Sequence, residues 1–285
     1  MKLYPKNKKA FMFPSAVFMI LMFSGMIILS TSCRKQEEVA GPKEKVSIGY
    51  SFDAVNALYI IAEAKGFFTQ EGLAAETKEY QSGKLSMEGM FKGEIDLSTP
   101  SEPSIVFSSF ERRDFSIIAS TASGDRYYKI IARKDRGIQK PEDFRNKRIA
   151  TQKASAANYY LYAFLLTHGL SVEDVDLSFK QPDELPDLLS KGEIDAFSLS
   201  EPFISKAEDL LGGNAIVFTE ADIYLRKDYL TAMNEFIRNK PEIIKKVLRS
   251  LIKAKEFAET NPEQTIKLVA EKLHVKELKI KEILP

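Results

Sequence analysis

The sequence predicts an α/β fold of two lobes, each a mostly parallel sheet with helices on both faces, and a ligand cleft between the lobes. Three observations predict it. A twelve-residue stretch occurs twice, KGEIDLSTPSEP at 92–103 and KGEIDAFSLSEP at 191–202, identical at eight positions with an offset of 99. Apolar runs of strand length alternate with segments of helical apolar spacing, the pattern of parallel sheets covered by helices. The order of these elements then restarts near residue 146, so the second lobe repeats the first. In both copies a helix-like segment ends on Lys-Gly, Glu-Ile-Asp enters a short strand, and Ser-Glu-Pro opens the next segment. Glycine after a helix and proline in a first turn are the expected punctuation.

The elements run in order along the chain. Residues 45–50 form a first strand, and NALYIIAEAKGFF (56–68) has helical spacing at Leu58, Ile61 and Ala62 until Gly66 stops it. A second strand covers 75–80, Gln81-Ser82-Gly83 turns the chain, and a helix over 85–91 enters the first repeat. Apolar strands at 116–119 and 129–132 flank Ser123-Gly124-Asp125. The second lobe begins with a strand at 146–150, a helix over 155–168 stopped by Gly169, a strand at 175–179 and a helix over 183–190 into the second repeat. Beyond the apolar Ile216-Val217-Phe218, Asn239 and Asn261 stand just before Pro-Glu pairs and mark the starts of two amphipathic helices. Lys245, Lys246, Arg249, Lys253 and Lys255 read as their solvated face. The resulting division is a first lobe at 46–125, a second at 126–220, and C-terminal helices at 221–285 returning to the first.

The N-terminus places the folded part outside the cytoplasm. Lys2, Lys6, Lys8 and Lys9 precede an apolar run from 10 to 29, and Ser30-Thr31-Ser32 leads to Cys33, the only cysteine. This is the build of a secretory signal (1–32); the run is also long enough to span a bilayer, so a retained anchor, or plain secretion without lipid, is the competing reading. Ser30-Thr31-Ser32-Cys33 resembles a bacterial lipobox, with Leu29 one place further from the cysteine than usual, and implies lipidation at Cys33. Residues 33–45 are polar, contain Gly-Pro, and read as a flexible tether.

Composition excludes several chemistries. With Cys33 at the processing site, the folded part has no thiol for a disulfide, a zinc–cysteine site or a cysteine nucleophile. Only His168 and His274 supply imidazole, one at an expected helix end and one in a charged segment, so no metal, cofactor or catalytic residue is expected. Without the four signal-region lysines, 41 − 4 leaves 37 basic against 40 acidic residues, and this near neutrality gives nucleic acid no basic surface.

In open α/β sheets, ligands sit beyond the carboxyl ends of strands, where turns and helix N-termini present unpaired N–H groups. The turns in question carry Ser51 and Phe52, Ser82 and Gly83, Ser101 and Glu102, Ser123, Ser155 and Ala156, and Glu201. Their hydroxyls and amides suit a sulfonate, carboxylate or nitrate; for each serine, capping its helix is the competing role. Glu102 and Glu201 would repel an anion unless they faced an amine or a base, which favours an aminosulfonate or an aminopyrimidine. The alternative is that both glutamates only cap helices. Phe52, Tyr159 and Phe203 are candidates to stack on a flat ligand or to join the core.

The chain from 46 to about 273 resembles the solute-binding proteins of ABC importers in the group for nitrate, sulfonate, taurine, bicarbonate and the pyrimidine precursor of thiamine. The residues carrying the resemblance are AEAKGFF (62–68) with Glu71-Gly72-Leu73, both KGEID segments, IQKPEDFRNKRIATQ (138–152), Gly169-Leu170, Glu201-Pro202-Phe203 and 239–242. The resemblance implies the two-lobed type II periplasmic-binding-protein fold, a monomer closing by hinges near 119–128 and 218–224, and delivery of a small ligand to an ABC permease with its ATPase. It places the protein in the cell envelope, anchored to a membrane by lipid. The family's Gly-Ser before the second-lobe helix is here Ala154-Ser155, which puts one anion contact in question. The chain stops at Ile283-Leu284-Pro285, before the family's usual last segment, as a short variant or a truncated one. Two other functions fit the pattern: a pyrimidine-synthesising enzyme of this fold, and a surface sensor without an importer.

Overall fold

The computed structural model describes residues 42–284. The expected signal segment, Cys33 and the tether up to residue 41 lie outside the described residues, as does Pro285.

Two five-stranded sheets form the frame. The first contains β1 (Glu44–Ser51), β2 (Leu73–Tyr80), β3 (Leu97–Ser98), β4 (Phe115–Gly124) and β10 (Arg226–Met233), in the order β2-β1-β3-β10-β4. The second contains β5 (Tyr128–Arg133), β6 (Arg148–Thr151), β7 (Asp176–Phe179), β8 (Ala196–Ser200) and β9 (Ala215–Phe218), in the order β7-β6-β8-β5-β9. The topologies are the same. Three strands run parallel in each sheet, while β10 and β5 run antiparallel to both their neighbours. The sheets are therefore mixed, with a parallel half and an antiparallel half. Residues 125–127 and 219–225 join one sheet to the other.

Burial explains which segments became central strands. β8 (AFSLS) is buried throughout and β5 (YKIIAR) nearly so, the pattern of strands covered on both faces, whereas β2 (LAAETKEY) alternates at an edge. Helices α1 (Ala57–Ala64), α2 (Phe67–Gln70), α3 (Gly83–Phe91) and α4 (Glu102–Glu111) accompany the first sheet. Helices α5 (Ala156–Thr167), α6 (Leu185–Lys191) and α7 (Phe203–Leu211) accompany the second. After β10 come α8 (Asn234–Asn239), α9 (Pro241–Thr260), α10 (Pro262–Leu273) and α11 (Glu277–Ile283). Ile243, Val247, Leu251 and Ala254 recur at helical spacing on α9 and are buried where it packs on α1. A leucine buried in this way contributes about 1.5–3 kcal/mol. Its basic face pairs with acids instead, Arg249 and Lys253 both reaching Glu71 at 2.6 Å.

The sequence reading gave 221–285 as helices alone. The structure instead opens this segment with β10, which lies inside the first sheet. Its first three residues, Arg226-Lys227-Asp228, are all charged, yet Arg226 and Asp228 are buried, with Arg226 paired to both Asp228 and Asp53.

The repeat does one geometric job twice. Asp96 N–H donates to the Ser47 carbonyl while its carboxylate accepts Ser47 N–H at 2.8 Å, tying β3 to β1. Asp195 does the same to Arg148 on β6, at 3.0 Å. Gly93 and Gly192 precede them with φ of 74° and 73°, a left-handed turn that glycine adopts without strain. Burial works against the charge of Asp195, but the Arg148 guanidinium at 2.6 Å and the backbone N–H outweigh it and hold the carboxyl below its usual range. A depressed folded-state value stabilises above the unfolded one, near 3.9, and that stability is lost as pH falls through the folded value. Asp195→Asn is therefore expected to cost about 1–2 kcal/mol in urea unfolding at neutral pH, and the gap to wild type to narrow below about pH 4. A gap independent of pH contradicts this account.

Candidate ligand-binding cleft

Three helices begin at the space between the sheets. Ser82 caps α3, its hydroxyl accepting Leu85 N–H at 3.2 Å, and Ser155 caps α5, accepting Asn158 N–H at 3.3 Å. Ser155 also donates its hydroxyl to the Gln152 carbonyl at 2.7 Å, whereas Ser82 only accepts in its cap; the first-turn N–H groups of Gly83, Lys84, Ala156 and Ala157 are left without helical partners. These four residues line the cleft. Ser101, at the start of α4, also lines it and makes no capping bond. The helix dipoles add positive potential at these ends. The cavity between these ends is narrow, about 20 Å³, room for about one water, so the walls stand close together.

Gly83 is fixed by close approach. A Cβ there would lie 2.9 Å from the Thr99 carbonyl oxygen and 3.1 Å from Pro100 Cα, both backbone atoms that cannot swing aside. The turn before α5 solves its geometry differently. Ala154 holds a left-handed conformation at φ 56°, which costs an alanine roughly 1–2 kcal/mol, and its N–H donates to Asn158 Oδ1 at 3.3 Å. The alanine thus keeps the turn that a glycine would make there.

A buried charge cluster forms the cleft floor. Arg226 grips Asp228 with two bonds, Nε to Oδ2 at 2.5 Å and Nη2 to Oδ1 at 2.9 Å, and reaches Asp53 Oδ2 through Nη1 at 2.7 Å. Ser200, at the end of β8, donates to the same Asp53 oxygen at 2.8 Å. The guanidinium lies over the Tyr128 ring at 4.9 Å. Complete burial pushes the Asp228 carboxyl up, although Arg226 opposes the shift. Burial works against the charge of Arg226 too, but Asp228 and Asp53 outweigh it and hold the guanidinium above its ordinary value. Asp53 Oδ1 also accepts Val55 N–H at 3.2 Å, so every oxygen of the two acids has a partner within the protein.

Two side chains in the cleft are buried and unpartnered. Both amide atoms of Gln152 and the hydroxyl of Ser104 lack a hydrogen-bond partner. Gln152 is 3% exposed and Ser104 2%. A buried polar group left unpaired costs about 1–3 kcal/mol, so these positions point to a ligand that completes them.

Of the residues expected from sequence, Ser51, Ser82, Gly83, Ser101, Ser155 and Ala156 line the cleft, while Phe52, Glu102, Ser123 and Glu201 do not. Glu201 is buried beside Lys129, 3.4 Å away, and accepts Ser205 N–H at 2.9 Å on the first turn of α7. Glu102 accepts the Tyr224 hydroxyl at 3.1 Å. Both glutamates are satisfied by the protein, so neither waits for an amine. Ser123 is exposed on β4 rather than in a turn, paired in register with Lys227. Phe52 lies 6.4 Å from the His274 ring, and Phe203 packs against the core. Tyr159 packs on Tyr224 at 4.9 Å. The repeat nevertheless reaches the cleft through its serines, since Ser101 and Ser200 occupy the same place in the two copies and both line it. Sequence reasoning missed Asp53, Arg226, Gln152 and Ser104 as site residues. Gln152 directly follows a strand, and that position alone was a usable signal.

Solved structures share this fold, and curated relatives share part of this sequence. The alkanesulfonate-binding protein of Xanthomonas axonopodis pv. citri bound to MOPS superposes with a TM-score of 0.71 at 20% identity, covering 85% of this chain and 83% of that one. The fold is thus that of the type II periplasmic binding proteins. A candidate aliphatic-sulfonates-binding protein of Bacillus subtilis is 24% identical over 239 residues, 82% of this chain and 72% of that protein. The taurine-binding periplasmic protein of Escherichia coli is 22% identical over 228 residues, 78% of this chain and 69% of its own. These relatives are named as binding proteins rather than enzymes. Residues 54–265 match the family model described as NMT1/THI5 like, and the chain belongs to that family.

Proposed function

We propose that this chain is the solute-binding component of an ABC importer, held outside the cytoplasm by lipid on Cys33, and that it takes a small sulfonate of the taurine type. The observation that carries the reading is the convergence of two capped helix N-termini with the unpartnered Gln152 amide and Ser104 hydroxyl in one closed cleft. An anionic head suits the free N–H groups of Gly83, Lys84, Ala156 and Ala157. The taurine-binding relative of Escherichia coli supports an amino group on the same ligand. Closure would turn on residues 125–127 and 219–225, and the closed protomer, acting as a monomer, would hand its ligand to a permease driven by an ATPase. The histidines do not favour the enzyme reading. His168 is bound to Glu220 at 2.6 Å, His274 lies against Phe52, and neither lines the cleft.

Two measurements test this. In a thermal-shift panel of taurine, alkanesulfonates, nitrate, bicarbonate and aminopyrimidines, a sulfonate at about 100 times its dissociation constant is expected to add about 2.7 kcal/mol, roughly 5–10 °C. A shift with aminopyrimidines alone overturns the sulfonate head, and no shift with any compound overturns the binding reading. Gln152→Leu is expected to leave the free protein as stable or raise its Tm, because the amide has no protein partner to lose, while weakening the sulfonate at least tenfold. Loss of stability with unchanged affinity would make Gln152 a structural residue.

A further inference from the structure

The lobes meet again at the C-terminal helices. Helix α11 packs on α10, and α10 packs on α1 of the first lobe. Ile280 and Ile283 of α11 are buried, which fixes its apolar side. Its charged side reaches the second lobe. Lys279 Nζ lies 2.7 Å from Glu208 Oε2 on α7, and Glu282 Oε2 lies 3.6 Å from Lys129 Nζ on β5. Lys129 is itself buried and is anchored by Glu201 at 3.4 Å. Between α11 and the second lobe lies a cavity of about 470 Å³, lined on one side by Arg126, Thr219 and Ala221. These three belong to the segments 125–127 and 219–225 that cross between the lobes. Beside the crossovers, α11 is thus held to the second lobe by long charged side chains that span open space.

We propose that α11 is a clasp between the lobes, which holds the second lobe toward the first through Lys279–Glu208 and Glu282–Lys129 and so raises the affinity of the cleft. The proposal deepens the binding reading, and rests on it for the ligand but not for the movement of the lobes. Both bridges are made in a conformation whose cleft walls stand close together. Rotation of the second lobe about the crossovers carries Glu208 and Lys129 with it, while α10 keeps α11 on the first lobe. The ions then separate across the cavity. Ion pairs suit such a joint, because at partial exposure each is weak and re-forms without repacking a core. The Lys279 and Glu208 side chains are 25% and 30% exposed. An apolar seam in the same place would lock the lobes, whereas charged bridges over a cavity can open. A ligand that binds the closed form binds more weakly in proportion as that form is less populated.

Charge reversal with a swap tests this, read by small-angle X-ray scattering of the ligand-free protein and by isothermal titration with ethanesulfonate. Glu208→Lys and Lys279→Glu each place like charges together, and the double variant restores opposite ones. Each single variant is expected to enlarge the radius of gyration of the free protein and to weaken the sulfonate about three- to tenfold. The double variant is expected to return the radius to the wild-type value and the affinity to within about twofold. Both side chains are partly exposed, so the variants keep the fold, and thermal unfolding without ligand verifies this. Unchanged radius and affinity in both single variants, with or without a lower Tm, overturn the clasp and leave the pair a structural contact. A double variant no better than the singles overturns it too. If no sulfonate binds any of the four proteins, the head assignment falls, and the radius alone decides the clasp.

Discussion

Arg226 is the constraint around which the cleft is built. Among the described residues it is the largest side chain that is almost completely buried, and an unpaired guanidinium there would cost several kcal/mol. Asp228 and Asp53 compensate it with three charge-assisted bonds, and Ser200 completes Asp53. These residues come from different places: Arg226 and Asp228 from β10, Asp53 from the turn after β1, Ser200 from the end of β8 in the second sheet. The cluster therefore joins strands of one lobe to a strand of the other at the floor of the cleft. Removing one member strands the rest, which is how a buried ionic group fixes a geometry even where its net stabilisation is small.

The rest of the site is arranged on that floor. With Asp53 held by Arg226 and Ser200, the turn after β1 is pinned, and Ser51 just before it accepts the Asn56 side chain at 2.7 Å. The bridge between Ser101 and Asp228 seats the start of α4 on the same strand. Gly83 then brings the first turn of α3 against the Thr99 carbonyl, closer than any side chain permits. Opposite, Gln152 and the left-handed Ala154 deliver the start of α5. The lobes are held at the ends of the cluster, and the walls above them expose donors. That division of labour, ions below and amides above, is what gives the proposed ligand an oriented pocket instead of a uniformly charged one.

Much of this was legible in the sequence. The repeat marked two lobes because its Asp and Gly each perform a local task, tying a strand and turning a chain, and local tasks leave local signatures. Six of the candidate residues line the cleft because turns after strands are visible from composition. The failures share a physical cause. Glu102 and Glu201 looked available to a ligand, but their partners Tyr224 and Lys129 are distant in sequence. The strand β10 was invisible because Arg226, Lys227 and Asp228 resemble a solvated turn until Asp53, 173 residues away, is placed beside Arg226. Long-range neutralisation carries no short-range pattern. Gln152 was passed over because an amide beside a strand says nothing of whether its partners are missing.

The central claim is that first-turn amides and one unpaired glutamine hold the ligand's head. Amide NMR of the nitrogen-15-labelled protein, recorded before and after saturation with taurine or ethanesulfonate, tests it most directly. The account predicts the largest shifts at the backbone amides of Gly83, Lys84, Ala156 and Ala157 and at the Gln152 side-chain NH₂. Saturable binding that leaves these five signals in place and moves others would contradict it.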